Sequence, residues 1–218
     1  MHHTILTIGR EYGSGGHKVA RILSGLLDIP YYDKELIQKA AKNSALDPKD
    51  LECVDEHPVS PFLYMDAKEA AHIARYGQTI GDTLYQLQSR IIRQMAEKES
   101  CIIVGRCGNY VLRNQPYCLH VFLYAPLPVR IQCVMKRSKI SEDEARILVR
   151  KTDRMRRSYY NYYTDLRWGG RDQFDLLMDS SVLGIEGTAE MLKAAYQQLA
   201  KIPESEMMDR LSKEPSGK

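Results

Sequence analysis

The chain has 218 residues, of which 44% are hydrophobic, enough to bury a core as one domain. Its formal net charge of +3 is too small to indicate nucleic-acid binding by itself. No apolar run reaches the roughly 18 to 20 residues of a membrane span, and the chain starts directly with a strand-like segment, so we expect a soluble protein that is not exported.

The cysteines argue for a reducing compartment. They are odd in number, contain no C-x-x-C pair and lie mostly in apolar surroundings at Cys53, Cys101, Cys107, Cys118 and Cys133. This usage is typical of reduced core thiols rather than of disulfides or metal ligands. We therefore expect a cytoplasmic protein.

The first predicted elements are a strand, a glycine-rich loop and a helix. Apolar residues predict a strand over residues 4–8, and apolar positions three and four apart predict a helix over residues 16–27. Between them, Gly13, Ser14, Gly15 and Gly16 would let the backbone approach an anion closely. The helix would add free N–H groups and its positive dipole end. The segment therefore predicts a phosphate-binding loop.

This loop departs from the usual signature, G-x-x-x-x-G-K-S/T. With Gly15 as the last loop glycine, Gly16 stands in the lysine position and Arg10 in that of the first glycine. The phosphates therefore need another cation, for which Lys18 and Arg10 are the candidates. Lys18 is otherwise an ordinary exposed helix lysine, and His17 is interpreted as a polar residue at the start of the helix.

Two further predicted strands end in charged residues. A strand over residues 29–33 ends at Asp33, and a buried strand over residues 101–104 is followed by Gly105 and Arg106. Ligands of open α/β sheets lie outside the carboxyl ends of the strands, so we expect both side chains to face the glycine loop. The alternatives are that Asp33 caps a helix and that Arg106 forms a surface ion pair.

Between those two strands the sequence predicts a helix after Asp33, a polar excursion over residues 44–78 and a long helix from about residue 80. A strand over residues 119–124 and a helix begun at residues 126–128 follow. Residues 141–144 form a capping box that starts another helix. The last strand, over residues 174–178, ends at Asp179, and a final helix precedes a polar tail over residues 203–218. This alternation predicts an α/β fold with a parallel sheet.

The helix that follows the capping box is rich in arginine. Arg146, Arg150, Asp153 and Arg157 share one stripe, with Arg154 at its margin. Arginine suits phosphate oxygens because of its planar fork, although such a stripe is also typical of a solvated face. The aromatic and basic segment 158–171 indicates a lid or dimer contact, or alternatively an RNA-binding surface.

Five motifs occur in an order that resembles the cytidylate kinase-like family of nucleoside monophosphate kinases, within the P-loop NTPases, here with a degenerate Walker A loop. The motifs are Arg10-Glu-Tyr-Gly-Ser-Gly-Gly16, Tyr31-Tyr-Asp-Lys-Glu-Leu-Ile37, Ile103-Val-Gly-Arg106, Thr152-Asp-Arg with Arg157-Ser-Tyr-Tyr160, and Phe174-Asp-Leu-Leu-Met-Asp-Ser180.

The resemblance implies a three-layer α/β/α fold with a parallel five-stranded sheet, in a single domain over residues 1–202. A monophosphate-binding region would span residues 34–98 and a lid residues 138–172. The implied reaction is transfer of the γ-phosphoryl group of ATP, with Mg²⁺, to CMP or a similar nucleoside monophosphate. Neither a membrane nor a nucleic acid is implied as a partner, and a homodimer is allowed.

The resemblance also implies roles for single residues. Asp33, Arg106 and Asp179 would hold the monophosphate. The glycine loop from Arg10 to His17 would hold ATP, with Arg130 over the adenine. Asp153, Arg154 and Arg157 would act in catalysis together with Lys18 as the missing cation.

Other positions depart from the family pattern, since Val104 and Cys107 stand where carboxylates are usual. No residue is therefore assigned as a metal ligand. The alternatives are a nucleotide-sensing module of weak activity and, more remotely, an RNA-binding protein.

Overall fold

The computed structural model describes residues 2–33, 77 and 79–207. Within them, one parallel sheet has the strand order β2-β3-β1-β4-β5. Its strands are β1 (Ile5–Arg10), β2 (Tyr31–Tyr32), β3 (Cys101–Val104), β4 (Cys118–Tyr124) and β5 (Leu176–Asp179). The predicted five-stranded parallel sheet is therefore confirmed.

The first strand extends two residues beyond its predicted end. Gly9 and Arg10 continue the ladder with Phe122 and Leu123 of β4. Apolar periodicity did not show this, because neither residue is apolar and pairing with a neighbouring strand decides where the ladder stops. Arg10 is therefore held by a strand at the edge of the glycine loop.

The described helices cover both faces of the sheet. They are α1 (Gly16–Leu27), α2 (Ile80–Lys98), α3 (Gly108–Val111), α4 (Leu127–Ser138), α5 (Glu142–Thr164) and α6 (Ser180–Leu199), with a 3-10 turn at Arg171–Gln173. The predicted span of α1 is confirmed. The predicted helix after Asp33, most of the region 34–98 and the tail beyond residue 207 lie outside the described residues.

Alternate residues of β1 build the two halves of the core, because successive strand side chains point to opposite faces. Leu6 and Ile8 pack with Val19 of α1 and Leu192 of α6. Ile5 instead packs in a second cluster, with Ile92 of α2, Ile103 of β3 and Val111 of α3. The sheet thus lies between two helical layers, as expected for a three-layer fold.

A crevice opens at the carboxyl ends of β1 and β3, which are neighbours in the sheet. The chain leaves β1 into α1 on one face and leaves β3 into α3 on the other. Connections that depart to opposite faces create the topological switch point where open α/β sheets bind ligands. The fold therefore places the glycine loop and Arg106 on either side of one crevice.

The arginine-rich helix α5 begins at the predicted capping box. The Ser141 hydroxyl accepts from the Glu144 N–H, and the Glu144 carboxylate accepts from the Ser141 N–H. The helix continues for 23 residues and ends where Asp165 turns left-handed. The tyrosines at its carboxyl end are therefore helical. None of the helices in the described part of the chain is long and apolar enough to cross a membrane.

Candidate functional site

A small pocket lies at the carboxyl ends of β1 and β3. Its walls come from both strand ends, from α3 and α5, and from Trp168 and Phe174. Three arginines line it: Arg10, Arg106 and Arg156. The pocket has a volume of about 30 Å³, enough for about two waters. Its three guanidinium groups suit a small anionic group such as a phosphate.

Arg106 is built into the fold and is only 3% exposed. Gly105, Arg106 and Cys107 all have positive φ, at 79°, 55° and 53°. This turn is closed by the Gly108 N–H, which donates to the Gly105 carbonyl at 2.9 Å. A left-handed backbone costs a non-glycine residue on the order of 1 kcal/mol, and such strain is concentrated at functional sites. The alternative interpretation of Arg106 as a surface residue is therefore wrong, because the residue is buried.

Arg156 is a pocket residue that the sequence reading missed. It lies on the inward face of α5, in a row with Ala145, Val149, Asp153 and Tyr160, and its Nη1 donates to the Arg10 carbonyl at 3.2 Å. These positions are four, four, three and four residues apart, which is helical spacing. The apolar members of this row could have identified Arg156 as inward-facing.

The glycine loop is pinned to the sheet and to α6. The Ser14 hydroxyl donates to the Leu123 carbonyl of β4, and the Ser14 carbonyl accepts from the Ser180 hydroxyl at 2.6 Å. Gly15 caps α1 with φ 85°, and a Cβ atom there would overlap the Ile185 side chain. A side chain at position 15 would therefore be strained by the positive φ and would displace Ile185. The loop presents the first N–H groups of α1, which have no partner within the helix.

A buried charge network joins this loop to α4 and α5. Arg130, predicted to lie over adenine, donates from Nε to the Ala125 carbonyl and from Nη1 to Asp153 Oδ2, and its Nε also forms an ion pair with Glu11 Oε2 at 3.2 Å. Asp153 Oδ1 in turn accepts from the Tyr12 N–H at 2.7 Å. Asp153 thus lies on the buried face of α5 and not with the exposed arginines of its predicted stripe. The network holds the loop backbone in place between the two helices.

Burial shifts the titration of one member of this network. It raises the pKa of Glu11 above its usual value of 4.5, and the Arg130 guanidinium lowers that pKa only in part. One guanidinium serves two carboxylates, which leaves a partly buried negative charge incompletely balanced. Glu11 therefore binds its proton more strongly in the folded protein than in the unfolded chain.

The other residues expected at the site lie in different places. Asp33 follows β2, and its Oδ2 lies 2.8 Å from Nε2 of His17. Lys18 is exposed on α1, and Arg154 and Arg157 are exposed on α5. The structure thus joins the start of α1 to Asp33, while these three cations stand outside the pocket.

Asp179 is not near Arg106. It lies at the end of β5, and its Oδ1 accepts from the N–H and hydroxyl of Ser181, so it caps α6. β5 is three strands away from β3 in the sheet. At about 4.8 Å per strand, the two strand ends are separated by about 14 Å. Asp33 and Arg106, by contrast, follow neighbouring strands.

Tyrosines at the carboxyl end of α5 pack against α2. The rings of Tyr163 and Tyr85 stack with centroids 4.1 Å apart, and Tyr159 donates to Gln88. Burial raises the pKa of Tyr85 to about 12. The Tyr160 hydroxyl accepts from Asn109 Nδ2 of α3 at 2.9 Å. These rings therefore attach the second half of α5 to α2 and α3, and a lid or dimer contact for this segment stays a prediction.

The described carboxylates at the site do not suit a magnesium ion held by the protein. Glu11 and Asp153 pair with Arg130, and Asp33 pairs with His17. Over the described ranges, no group of three His, Cys, Asp or Glu side chains is placed to hold a metal. The site is thus built from cations and backbone amides, which suits anionic ligands.

Comparison with known proteins agrees with this geometry. A model of the cytidylate kinase-like family matches residues 5–182. The chain is 28% identical over 181 residues to a cytidylate kinase of Sulfolobus acidocaldarius, covering 83% of this chain and 87% of that protein. It is 24% identical over 204 residues to a cytidylate kinase of Methanopyrus kandleri, covering 89% and 94%.

Solved structures show the same fold. An uncharacterized protein from Eubacterium ventriosum matches with a TM-score of 0.69 and 27% identity, over 89% of this chain and 98% of that one. A shikimate kinase from Bacteroides thetaiotaomicron matches with a TM-score of 0.51 and 12% identity, over 91% and 99%. The second likeness concerns the fold alone.

Proposed function

Because the chain belongs to the cytidylate kinase-like family, we propose that it is a nucleotide kinase, transferring the γ-phosphoryl group of ATP to CMP or a similar nucleoside monophosphate. The name shared by its relatives from Sulfolobus acidocaldarius and Methanopyrus kandleri supports CMP as the first acceptor to test.

The main support is the arginine-lined pocket beside the glycine loop. Two anionic subsites then adjoin: loop amides and the α1 dipole for the ATP phosphates, and Arg106 with Arg156 for the acceptor phosphate. In this proposal the pocket holds the phosphate of the acceptor, and the sugar and base extend out of it. In this proposal Asp33 and the region 34–98 contact that outer part.

The reaction is a direct displacement at phosphorus. An oxygen of the acceptor phosphate forms the new bond to the γ-phosphorus, the bond from that phosphorus to its bridging oxygen breaks, and the bonding pair leaves with ADP. Such transfer depends on alignment of the substrates and on neutralising charge on the moving phosphoryl group. Arginines near the γ-phosphate and the acceptor phosphate can align the two substrates and neutralise the charge.

Lid residues complete the proposed assembly. Arg154 and Arg157 are exposed on α5, and we propose that they contact the phosphates of bound ATP. Arg130 and Asp153 fix the loop and α5 relative to each other. Asp179 caps α6 at the end of β5, three strands away from Arg106. Its contact with the nucleotide stays a prediction.

Magnesium would enter with ATP. Mg²⁺ keeps several waters and is often bound by substrate phosphates rather than by a cage of protein ligands. The described carboxylates of this site are already paired with Arg130 and His17. We therefore assign no protein ligand to the ion.

The glycine in the lysine position of the signature, Gly16, supports a second candidate function: a nucleotide-sensing module that binds ATP with little turnover. A lysine in that position normally neutralises the β- and γ-phosphates, and this chain has none there. Binding without product would distinguish the sensor from the kinase.

The decisive experiment incubates the protein with Mg-ATP and, separately, CMP, UMP, dCMP, AMP or GMP, and quantifies the nucleoside diphosphate by chromatography. A reaction without acceptor measures ATP hydrolysis. We expect diphosphate formation with at least one pyrimidine monophosphate. ATP binding with no diphosphate from any acceptor would support the sensing module, and absence of nucleotide binding would reject both functions.

A further inference from the structure

We infer that Arg10 replaces the phosphate-loop lysine, so that the usual glycine and lysine positions of the signature have exchanged roles in this chain. In the signature the first position is glycine and the position after the last loop glycine is lysine. Here those positions hold Arg10 and Gly16. The inference rests on the proposed function in one respect, that ATP phosphates bind at this loop.

The stem of the Arg10 side chain occupies the space beside Gly16. A Cβ atom on Gly16 would lie 2.9 Å from both Cβ and Cγ of Arg10, closer than carbon atoms pack in proteins. A lysine at position 16 and an arginine at position 10 therefore exclude each other. This explains why the chain has glycine where the signature has its cation.

The Arg10 guanidinium ends at Gly105. A Cβ atom on Gly105 would overlap Nη1 of Arg10 and would lie 2.9 Å from Cζ. Gly105 directly precedes Arg106 at the end of β3. The guanidinium thus crosses from the glycine loop to the edge of the acceptor pocket, which is where the γ-phosphate and the acceptor phosphate would meet.

The strand and α5 fix the position of this arginine. Arg10 pairs with Leu123 in the parallel ladder of β1 and β4, and its carbonyl accepts from Nη1 of Arg156. A guanidinium presents two N–H groups to two oxygens at once, whereas an ammonium is a point charge. Arg10 is therefore suited to contact oxygens of both phosphates during transfer.

Lys18, the other candidate cation, lies on a different side of α1. Two helix positions are about 200° apart around the axis, so residues 16 and 18 do not share a face. Lys18 is also exposed. The Lys18 ammonium would have to pass around the start of α1 to reach the loop, whereas the Arg10 side chain already lies beside Gly16.

Three variants test the exchange. Arg10→Met keeps the aliphatic stem of the side chain without its charge, and Arg10→Lys keeps the stem and the charge without the guanidinium fork. Arg10→Gly combined with Gly16→Lys restores the signature. Arg21→Met, an exposed change on α1, is the matched control. Each variant is measured for melting temperature, affinity for a non-hydrolysable ATP analogue, and kcat and KM for ATP with the best acceptor.

We expect Arg10→Met to weaken analogue binding about 10- to 150-fold, as loss of a charge-assisted hydrogen bond does, and to lower kcat by about 100-fold or more. Arg10→Lys should be intermediate. The double variant should recover part of both losses, whereas Gly16→Lys alone should not bind the analogue. Arg21→Met should change both quantities less than about twofold.

The inference is overturned if Arg10→Met binds the analogue as wild type does, or if Lys18→Met loses turnover while Arg10→Met retains it. Either result leaves the kinase proposal intact as long as the wild type forms diphosphate. If Arg10→Met fails to fold, a folded Arg10→Lys with wild-type affinity and kcat equally rejects the need for the fork. Failure of the wild type to bind the analogue rejects the proposed function together with this inference.

Discussion

Two sets of arginines meet at the glycine loop and are used differently. Arg130 lies between the carboxylates of Glu11 and Asp153, so its charge is compensated. It holds the glycine loop against α5. Arg10, Arg106 and Arg156 instead surround one pocket. Three guanidinium groups around a small cavity raise its potential and favour an anion. Arg130 therefore stabilises the fold through two carboxylates, and we propose that the three pocket arginines bind an anion.

Tyr12 connects the two sets. Its N–H donates to Asp153 and its carbonyl accepts from Arg130, while Arg156 and Arg137 lie 5.5 Å and 4.9 Å from the centre of its ring. The compensated network therefore fixes the loop residue against which a pocket arginine packs. Breaking the network should disturb the pocket, whereas removing a pocket arginine should leave the network in place.

The largest effect on stability is expected for Arg130→Met. It leaves the buried Asp153 and the half-buried Glu11 without their shared cation, which costs about 3 to 5 kcal/mol of unfolding free energy. Urea unfolding at neutral pH measures the loss. Arg146→Met, which breaks the exposed pair with Glu142, should cost no more than about 0.5 kcal/mol. Equal losses for the two variants would show that the ion pairs of Arg130 do not stabilise the fold.

Removing a pocket arginine should affect binding instead. Arg106→Met should weaken the monophosphate by about 1.5 to 3 kcal/mol, roughly 10- to 150-fold, because a charge-assisted hydrogen bond is lost. The affinity for ATP should change much less. Calorimetric titration of each nucleotide provides the measurement, with the exposed Arg113→Met as the control. Equal weakening of both nucleotides would place Arg106 on the ATP side or give it a structural role.

A smaller loss of stability is expected for Tyr160→Phe. The change removes the hydroxyl that accepts from Asn109 and so loosens α5, which bears Arg156, from α3. One buried hydrogen bond contributes about 1 kcal/mol. Tyr162→Phe, on the exposed side of the same helix turn, should change the unfolding free energy by less than about 0.5 kcal/mol. If both variants behave alike in urea, the contact with Asn109 does not hold α5.

The weakest effect should be a pH dependence of the unfolding free energy that comes from Glu11, the half-buried partner of Arg130. Burial raises the pKa of Glu11 in the folded protein above 4.5. Between the unfolded and folded values, the folded protein binds more protons than the unfolded chain, so its stability falls as pH rises through this window. Glu11→Gln should remove that slope.

Unfolding free energies of wild type and Glu11→Gln, measured from about pH 4 to about pH 7, give the comparison. We expect wild type to lose stability relative to the variant as pH rises. A relative gain would mean that attraction to Arg130 outweighs burial at Glu11.

The sequence by itself determined the five strands and most of the described helices in their order, but not the short helix α3. Helix α1, the capping box of α5 and the buried strand β3 were predicted because their signals are local: apolar spacing, a serine three residues before a glutamate, and a short apolar run. The glycine loop was also found in this way. The position of Arg106 beside the loop followed from the rule that parallel strands present their carboxyl ends on one edge.

The tertiary structure decided which arginines face the pocket and which do not. Arg156 faces it and Arg154 does not, because the packing of Ala145 and Val149 fixes the rotation of α5. Asp179 is remote from Arg106 because β1 and β4 separate their strands. Arg10 lies over Gly16 and Gly105 because two segments about 90 residues apart in the chain meet at neighbouring strand ends. None of these relations is local, so spacing along the chain could not reveal them.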